Sequence, residues 1–114
     1  MATTNTANSF VENTTIEWDD LGNGIKRKIL AYDDHVMMVK VAFETGAVGT
    51  LHQHVHSQVT HIESGVFEVE ISSEKRILKA KDVFIVPSNA LHGVVCIEAG
   101  ILLDVFSPMR ADFI

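Results

Sequence analysis

The side chains best able to do chemistry in this chain are concentrated between residues 46 and 65, in the segment GAVGTLHQHVHSQVTHIESG. Of the six histidines in the sequence, four fall between residues 52 and 61. His52, His54, His56 and Gln58 occupy alternate positions, and alternate residues of a β-strand share one face. Imidazole groups bind zinc, copper, iron and nickel, and an amide oxygen widens the choice toward harder ions. The segment therefore predicts a metal centre that another part of the chain completes.

His92 is the best candidate for that more distant ligand. It follows the segment PSNAL and begins an apolar stretch that is expected to form a strand. The other two histidines are interpreted without a metal. His61 lies in an apolar strand and is expected to be a satisfied core residue, whereas His35 follows two aspartates in a turn and is expected to face solvent.

The segments that must position these residues have the pattern of an all-β protein. Period-two alternation, as in VFEVEI at residues 66–71, predicts half-buried strands, and no segment sustains the 3.6-residue period of an amphipathic helix. The expected strands cover residues 25–32, 35–43, 57–63, 66–71, 76–80, 82–86, 91–97 and 101–106. We expect one domain of about eight to ten short antiparallel strands over residues 16–114, after a flexible lead-in at residues 1–15.

Composition limits the classes of function. The chain has 114 residues, 46% of them hydrophobic and 21% charged, which predicts a globular domain with a single core. Its formal net charge of -6 argues against a nucleic-acid or anionic membrane surface. No apolar run approaches the roughly 20 residues of a membrane span. The lone cysteine, Cys96, and the lack of a secretory signal pattern predict a cytoplasmic location.

The end of the chain, GILLDVFSPMRADFI from residue 100, is the second informative stretch. Leu102, Asp104 and Phe106 share one face of the expected strand. Asp104 is thus a carboxylate in an otherwise apolar strand and a candidate general acid or base. The alternative is an edge-strand aspartate that faces water.

The order and spacing of these residues resemble the cupin superfamily. Its first motif, G-x5-H-x-H-x3,4-E-x6-G, is matched from Gly46 to Gly65, with Gln58 in place of the usual glutamate. Its second motif, G-x5-P-x-G-x2-H-x3-N, is matched at Pro87 and His92. The other marked positions of that motif hold Lys81, Asn89 and Cys96.

The cupin resemblance implies a jelly-roll-like β-barrel with one divalent metal ion, such as nickel, zinc, manganese or iron. The ligands that it implies are His52, His54, Gln58 and His92. His56 then lies outside the ligand set. Because Gln58 is neutral, the resulting shell favours a Lewis acid over a metal that cycles between redox states.

Within the cupins, the segments LGNGIKRKILAYDD, GTLHQHVHSQ, VPSNALHG and LLDVFSPMRADF resemble the KdgF family of small pectin-degradation cupins. That resemblance implies a metal-dependent enzyme that ring-opens and ketonises 4,5-unsaturated monouronates from pectin or alginate breakdown. The family arrangement D-x-F-x3-R is matched by Asp104, Phe106 and Arg110. In this hypothesis Arg110 pairs with the substrate carboxylate, Asp104 moves the proton, and Phe106 packs on the sugar or walls the pocket. His61 stands where the family has an aromatic residue.

Two other functions stay open at this stage: a metal-dependent cupin dioxygenase and a non-enzymatic module that binds small acids. For the partners we expect a small anionic sugar, no nucleic acid and no membrane. We also expect a homodimer in which strand 25–32 lies at a sheet edge and pairs with a second copy.

Overall fold

The computed structural model describes residues 9–114. Residues 1–8 of the predicted lead-in lie outside the described residues, and Asn13–Thr15 forms one turn of 3₁₀-helix. The strands are β1 (Asp19–Gly22), β2 (Ile25–Tyr32), β3 (Met37–Phe43), β4 (Val48–His52), β5 (Ser57–Ile71), β6 (Glu74–Lys79), β7 (Val83–Val86) and β8 (His92–Ser107). A second 3₁₀ turn, Ala111–Phe113, follows β8. No helix in this part of the chain is long and apolar enough to cross a membrane.

Two long strands organise the sheet. β5 and β8 pair antiparallel along most of their lengths, from Ser57 opposite Ser107 to Ile71 opposite His92. Toward one end they are flanked by β3 and β7, and toward the other by β4 and β6, so both strands contribute to two layers. β2 and β1 extend the first layer beyond β3. This is the antiparallel jelly-roll arrangement that the sequence predicts.

The sequence predicted shorter strands at these two places, because polar and small residues interrupt the alternation. The structure instead carries β5 through residues 63–66 with register shifts and carries β8 through residues 98–100. Gly65 makes this bend possible, since it has a φ of +86° and a Cβ there would lie 2.6 Å from the Cα of Gly100. The interruptions are bends within two strands rather than connections between four.

The core lies between the layers and follows strict alternation. In β5 the inward residues Gln58, Thr60 and Ile62 are buried while their neighbours are exposed. One apolar cluster surrounds Phe43 and Phe67, and a second joins Met37, Val39 and Phe106. The second cluster packs against the histidines, because the ring of Phe106 contacts that of His54.

Alternation explains one sequence prediction that is wrong, and strand pairing limits another. His61 is exposed rather than buried, because it has the outward parity of Val59 in β5. The prediction that strand 25–32 lies at a sheet edge holds only for residues 28–32, because β1 pairs with residues 25–27 of β2 on the side away from β3. The expectation for His35 is confirmed, since it is exposed in the turn between β2 and β3.

Candidate metal centre and adjoining cavity

Three histidines converge where β4 ends and β8 begins. His52 ends β4 and lies directly opposite His92, the first residue of β8, while His54 is in the loop that leads into β5. The ring centroids of His52 and His92 are 4.3 Å apart, and those of His54 and His92 are 4.8 Å apart. One ring nitrogen from each of the three lies within 4.8 Å of the others. These distances are short enough for all three rings to bind one metal ion.

Backbone carbonyl groups orient all three rings. The Nδ1 atoms of His52, His54 and His92 each lie 2.9 Å from a carbonyl oxygen, of Thr50, His56 and Ala90 respectively. A carbonyl only accepts, so each Nδ1 carries the proton and each neutral ring has its lone pair on Nε2. This is the outer contact that metal-binding histidines usually make. His56 thus contributes to the centre through its backbone oxygen.

The turn after β7 supports the loop that carries His54. The backbone N–H of Asn89 donates to the carbonyl oxygen of His54 at 2.8 Å, and the hydroxyl of Ser88 donates to that of Val55 at 2.6 Å. The segment that resembles the second cupin motif therefore holds the histidine loop as well as supplying His92.

Gln58 is buried beside these histidines, and its amide orientation is determined by two neighbours. Its Nε2 donates to Thr60 Oγ1 at 2.9 Å and to Asp104 Oδ1 at 3.4 Å, which turns Oε1 toward His54. There, Oε1 lies 3.1 Å from His54 Nε2. Both atoms are acceptors when His54 is neutral and protonated on Nδ1, so their proximity is favourable only with a cation or a proton between them.

The free lone pairs fit a bound divalent cation. His92 Nε2 is buried and has no hydrogen-bond partner within residues 9–114, and an orphaned buried acceptor carries a desolvation cost that a ligated ion removes. Burial lowers the pKa of His92 to about 4 and also lowers the pKa of His54. Both rings are therefore neutral near pH 7, which is the form that binds a metal.

Asp104 lies next to this group on a central strand. β8 pairs with β3 and β5 on its two sides at this residue, so the alternative of an edge-strand aspartate facing water is wrong. Thr60 donates its hydroxyl to Asp104 Oδ1 at 2.6 Å. Burial raises the pKa of Asp104 to about 6, although the Thr60 hydrogen bond and the charge of Arg110 act in the opposite direction.

Phe106 packs against one of the histidines, and Arg110 packs against Phe106. Phe106 is 2% exposed, and its ring meets that of His54 edge to face at 5.7 Å. Arg110 follows β8, and its guanidinium lies 5.1 Å from the ring of Phe106 and 4.2 Å from that of Phe113. Its Nε and Nη2 donate to the two carboxylate oxygens of Asp112, at 3.0 and 2.8 Å.

A cavity of about 190 Å³ connects these groups. Its walls include His52, His92, Gln58, Asp104, Phe106, Arg110, Arg27 and Phe113. Pockets for drug-sized ligands have volumes of roughly 300–1,000 Å³, so this space suits a smaller molecule.

Sequence reasoning did not identify Arg27 and Phe113, which line this cavity, or Thr60, which donates a hydrogen bond to Asp104 beside it. A signal existed for Thr60 and Arg27. Thr60 lies two residues after Gln58 and so shares its face of the strand. Arg27 likewise shares one face of a predicted strand with Ile25 and Ile29. Phe113 lies beyond the strands, where no periodic pattern predicts its position.

The fold and the converging histidines define a class of protein. The chain belongs to the cupin family, since the model of the cupin domain matches residues 39–106. It is 50% identical over 107 residues to the pectin degradation protein KdgF of Dickeya dadantii strain 3937, covering 92% of this chain and 96% of that one. The resemblance inferred from the motifs is thus confirmed.

Solved structures agree with this assignment. KdgF from Halomonas sp. superposes with a TM-score of 0.89 and 44% identity, over 93% of this chain and 98% of that chain. An RmlC-like cupin from Shewanella frigidimarina NCIMB 400 superposes with a TM-score of 0.91 and 42% identity, over 93% and 96% of the two chains.

The departures from the second cupin motif have a clear backbone consequence. Lys81 and Asn89 stand where the motif has glycine, and both have positive φ, at 77° and 64°. Both residues therefore adopt a left-handed backbone, the conformation that glycine adopts most easily.

Proposed function

We propose that this protein is a metal-dependent enzyme that opens the ring of 4,5-unsaturated monouronates and converts the product to the keto form. The observation that carries the proposal is one small cavity lined by His52 and His92 of the three-histidine cluster, by the half-buried Asp104 and by Arg110. The similarity to proteins named KdgF supports pectin-derived substrates.

In this proposal His52, His54, His92 and Gln58 hold one divalent ion. Their four acceptor atoms, which include the orphaned Nε2 of His92, fit that role. When bound, the ion supplies Lewis acidity toward the oxygen atoms of the sugar. The nature of the donors, three imidazoles and an amide, is compatible with nickel, zinc, manganese or iron.

The reaction is an isomerisation in which atoms and electrons balance within the substrate. The bond between the anomeric carbon and the ring oxygen breaks, the anomeric hydroxyl loses its proton, and the resulting enol gains a proton on carbon 4 as its hydroxyl becomes a ketone. Asp104 is the group that we propose accepts and returns these protons. With its pKa raised to about 6, its carboxyl exchanges protons readily near neutral pH.

The other cavity residues bind and orient the sugar. Arg110 supplies a positive charge for the uronate carboxylate, although it must exchange Asp112 for that ligand. Phe106 gives the ring an apolar wall next to His54. The volume of about 190 Å³ favours a monosaccharide over a longer fragment.

The test is turnover of 4,5-unsaturated galacturonate by protein whose metal content has been measured by elemental analysis. The metal-loaded protein should remove the ultraviolet absorbance of the conjugated double bond. Asp104→Asn should keep the fold and the metal but lower kcat by about 10²–10⁴-fold. Asp34→Asn, in an exposed turn, is the matched control and should keep the full rate. An inactive metal-loaded protein, or a fully active Asp104→Asn variant, would show that the proposal is wrong.

We further propose that the protein is a homodimer, with a second copy covering the outer face of the first layer. Met38, Val105, Val59 and Ile85 are register neighbours on four adjacent strands. Three of them are 41–63% exposed, which makes an apolar row on the surface. Light scattering should give twice the monomer mass, and Val59→Lys combined with Ile85→Lys should give monomers.

The cytoplasmic location stays a prediction from the sequence.

A further inference from the structure

Arg27 is a second cation of the cavity that the sequence motifs do not include. It lies on β2 opposite Val41, and both residues line the cavity. Its guanidinium lies 4.0 Å from the ring centre of Phe113. Its Nε is buried and has no hydrogen-bond partner in the described part of the chain. A buried N–H of a charged group without an acceptor is costly, so this atom is suited to a ligand.

Arg27 and Arg110 both stack on Phe113, but their hydrogen bonding differs. The guanidinium of Arg110 is 4.2 Å from that ring, and its Nε and Nη2 are bound to the Asp112 carboxylate. Arg27 makes no salt bridge with any residue from 9 to 114. Of the two arginines in the cavity, Arg27 is therefore the one whose guanidinium is not already paired with a carboxylate.

Two carboxylates lie in the surroundings of Arg27, and neither forms a salt bridge with it within residues 9–114: Asp19 is its cross-strand partner on β1, and Asp104 lines the same cavity. Among the described residues that line the cavity, Asp104 is the single carboxylate, and its Oδ1 already accepts from Thr60 and Gln58. The neighbours of Arg27 on the cavity face are apolar, for example Ile25 and Val41. Phe113 limits the rotation of the guanidinium plane, which lowers the entropy lost when an anion binds.

We infer that Arg27 binds the substrate carboxylate and determines the preference of this cavity for acidic over neutral sugars. The inference rests on the proposed function, because it takes the uronate carboxylate as the anion. In it, Arg27 donates from Nε to the carboxylate and shares this anion with Arg110. A purely structural Arg27, which only holds Phe113 in place, is the competing account.

Binding of two saturated sugars by the metal-loaded protein separates these accounts. Galacturonate and galactose differ at carbon 6, where one has a carboxylate and the other a hydroxymethyl group, and neither is turned over. Arg27→Gln should weaken galacturonate binding by about 10- to 100-fold, as expected for hydrogen bonds to a charged group. Galactose binding should change by less than about twofold. Arg27→Lys, which keeps the charge but loses the planar fork, should recover part of the affinity.

Lys26→Gln is the matched control, since Lys26 is the neighbouring cation on β2 but is exposed and lies over Trp18. It should bind both sugars as the wild type does. The inference would be overturned if Arg27→Gln and Arg27→Lys lost affinity for the two sugars equally. It would also be overturned if Arg27→Gln bound galacturonate as tightly as the wild type, or if the wild type bound the two sugars with equal affinity. Binding is measured without turnover, so the two proposals can fail separately. If the protein prefers galacturonate through Arg27 but does not convert unsaturated galacturonate, the proposed function is wrong and the inference on Arg27 stands.

Discussion

The hydroxyl of Thr60 donates to Asp104 Oδ1 at 2.6 Å, between residues that are direct cross-strand partners on β5 and β8. The same hydroxyl accepts a hydrogen bond from Gln58 Nε2 at 2.9 Å. One fully buried oxygen atom therefore connects a proposed metal ligand to the proposed acid/base group. This connection also gives a reason for glutamine at position 58, since a glutamate would direct a second carboxylate oxygen at Thr60 and Asp104.

The first prediction concerns this hydroxyl. Thr60→Val keeps the shape of the side chain but removes the short hydrogen bonds of the hydroxyl with Asp104 and with the Gln58 amide, leaving only the 3.4 Å contact between those two groups. We expect the free energy of unfolding to fall by about 1–3 kcal/mol, measured with denaturant. Thr60→Ser retains the hydroxyl and should lose less. Equal stability of the valine variant and the wild type would show that the hydrogen bond is unimportant for the fold.

The second prediction concerns the metal. His92→Ala removes the buried ring whose Nε2 is orphaned, and it should reduce metal affinity by more than about 100-fold, because outer contacts of ligands alone are worth roughly 10–100-fold. His61→Ala is the control, since this exposed histidine lies on the outer face of β5. Titration of the metal-free proteins with zinc measures both. Similar affinities of the two variants would exclude His92 as a ligand.

The third prediction is a pH dependence of the metal-free protein. Asp104 has a folded pKa of about 6 against an ordinary value of 3.8, so the folded state binds more protons between these values. Its contribution to the free energy of unfolding is therefore lost as the pH rises through this window. The loss is on the order of 3 kcal/mol. His92 acts oppositely, because its pKa is lowered to about 4, and its contribution grows as the pH rises from 4 to 6.5.

A comparison with Asp104→Asn isolates the aspartate from the histidine. As the pH rises from 4 to 6, the free energy of unfolding of this variant should increase relative to that of the wild type, since the variant lacks the carboxylate that burial penalises. Asp34→Asn should follow the wild-type curve. If the difference in free energy of unfolding between Asp104→Asn and the wild type were constant across this pH range, folding would not raise the pKa of Asp104.

The fourth prediction concerns the two turns that lack the motif glycines. Lys81→Gly should increase the free energy of unfolding by about 1 kcal/mol, because it relieves a left-handed backbone at φ +77°. Asn89→Gly should gain less than about 0.5 kcal/mol, since asparagine adopts this conformation more readily. Chemical denaturation of both variants checks the order. A larger gain at position 89 would contradict this explanation.

Much of the fold could be predicted because period-two alternation is a local property. The shared face of Leu102, Asp104 and Phe106 and the all-β class are confirmed, since neither depends on which strands pair. The bends of β5 and β8 could not be predicted, because a bulge inside a strand and a turn between strands have similar residues. The exposure of His61 was missed because its face depends on the register of β5.

The sequence by itself determined the metal-ligand candidates and the family, because their spacing along the chain is short and specific. It brought His52, His54 and Gln58 into one segment and placed His92 at a recognisable distance from Pro87. Only the tertiary structure decided that Thr60 contacts Asp104, and that Arg27 and Arg110 lie against one phenylalanine ring. These contacts join residues that are 44 or more positions apart, or that approach through the last turn of the chain. Strand register and packing bring them together, and neither is encoded in a local pattern.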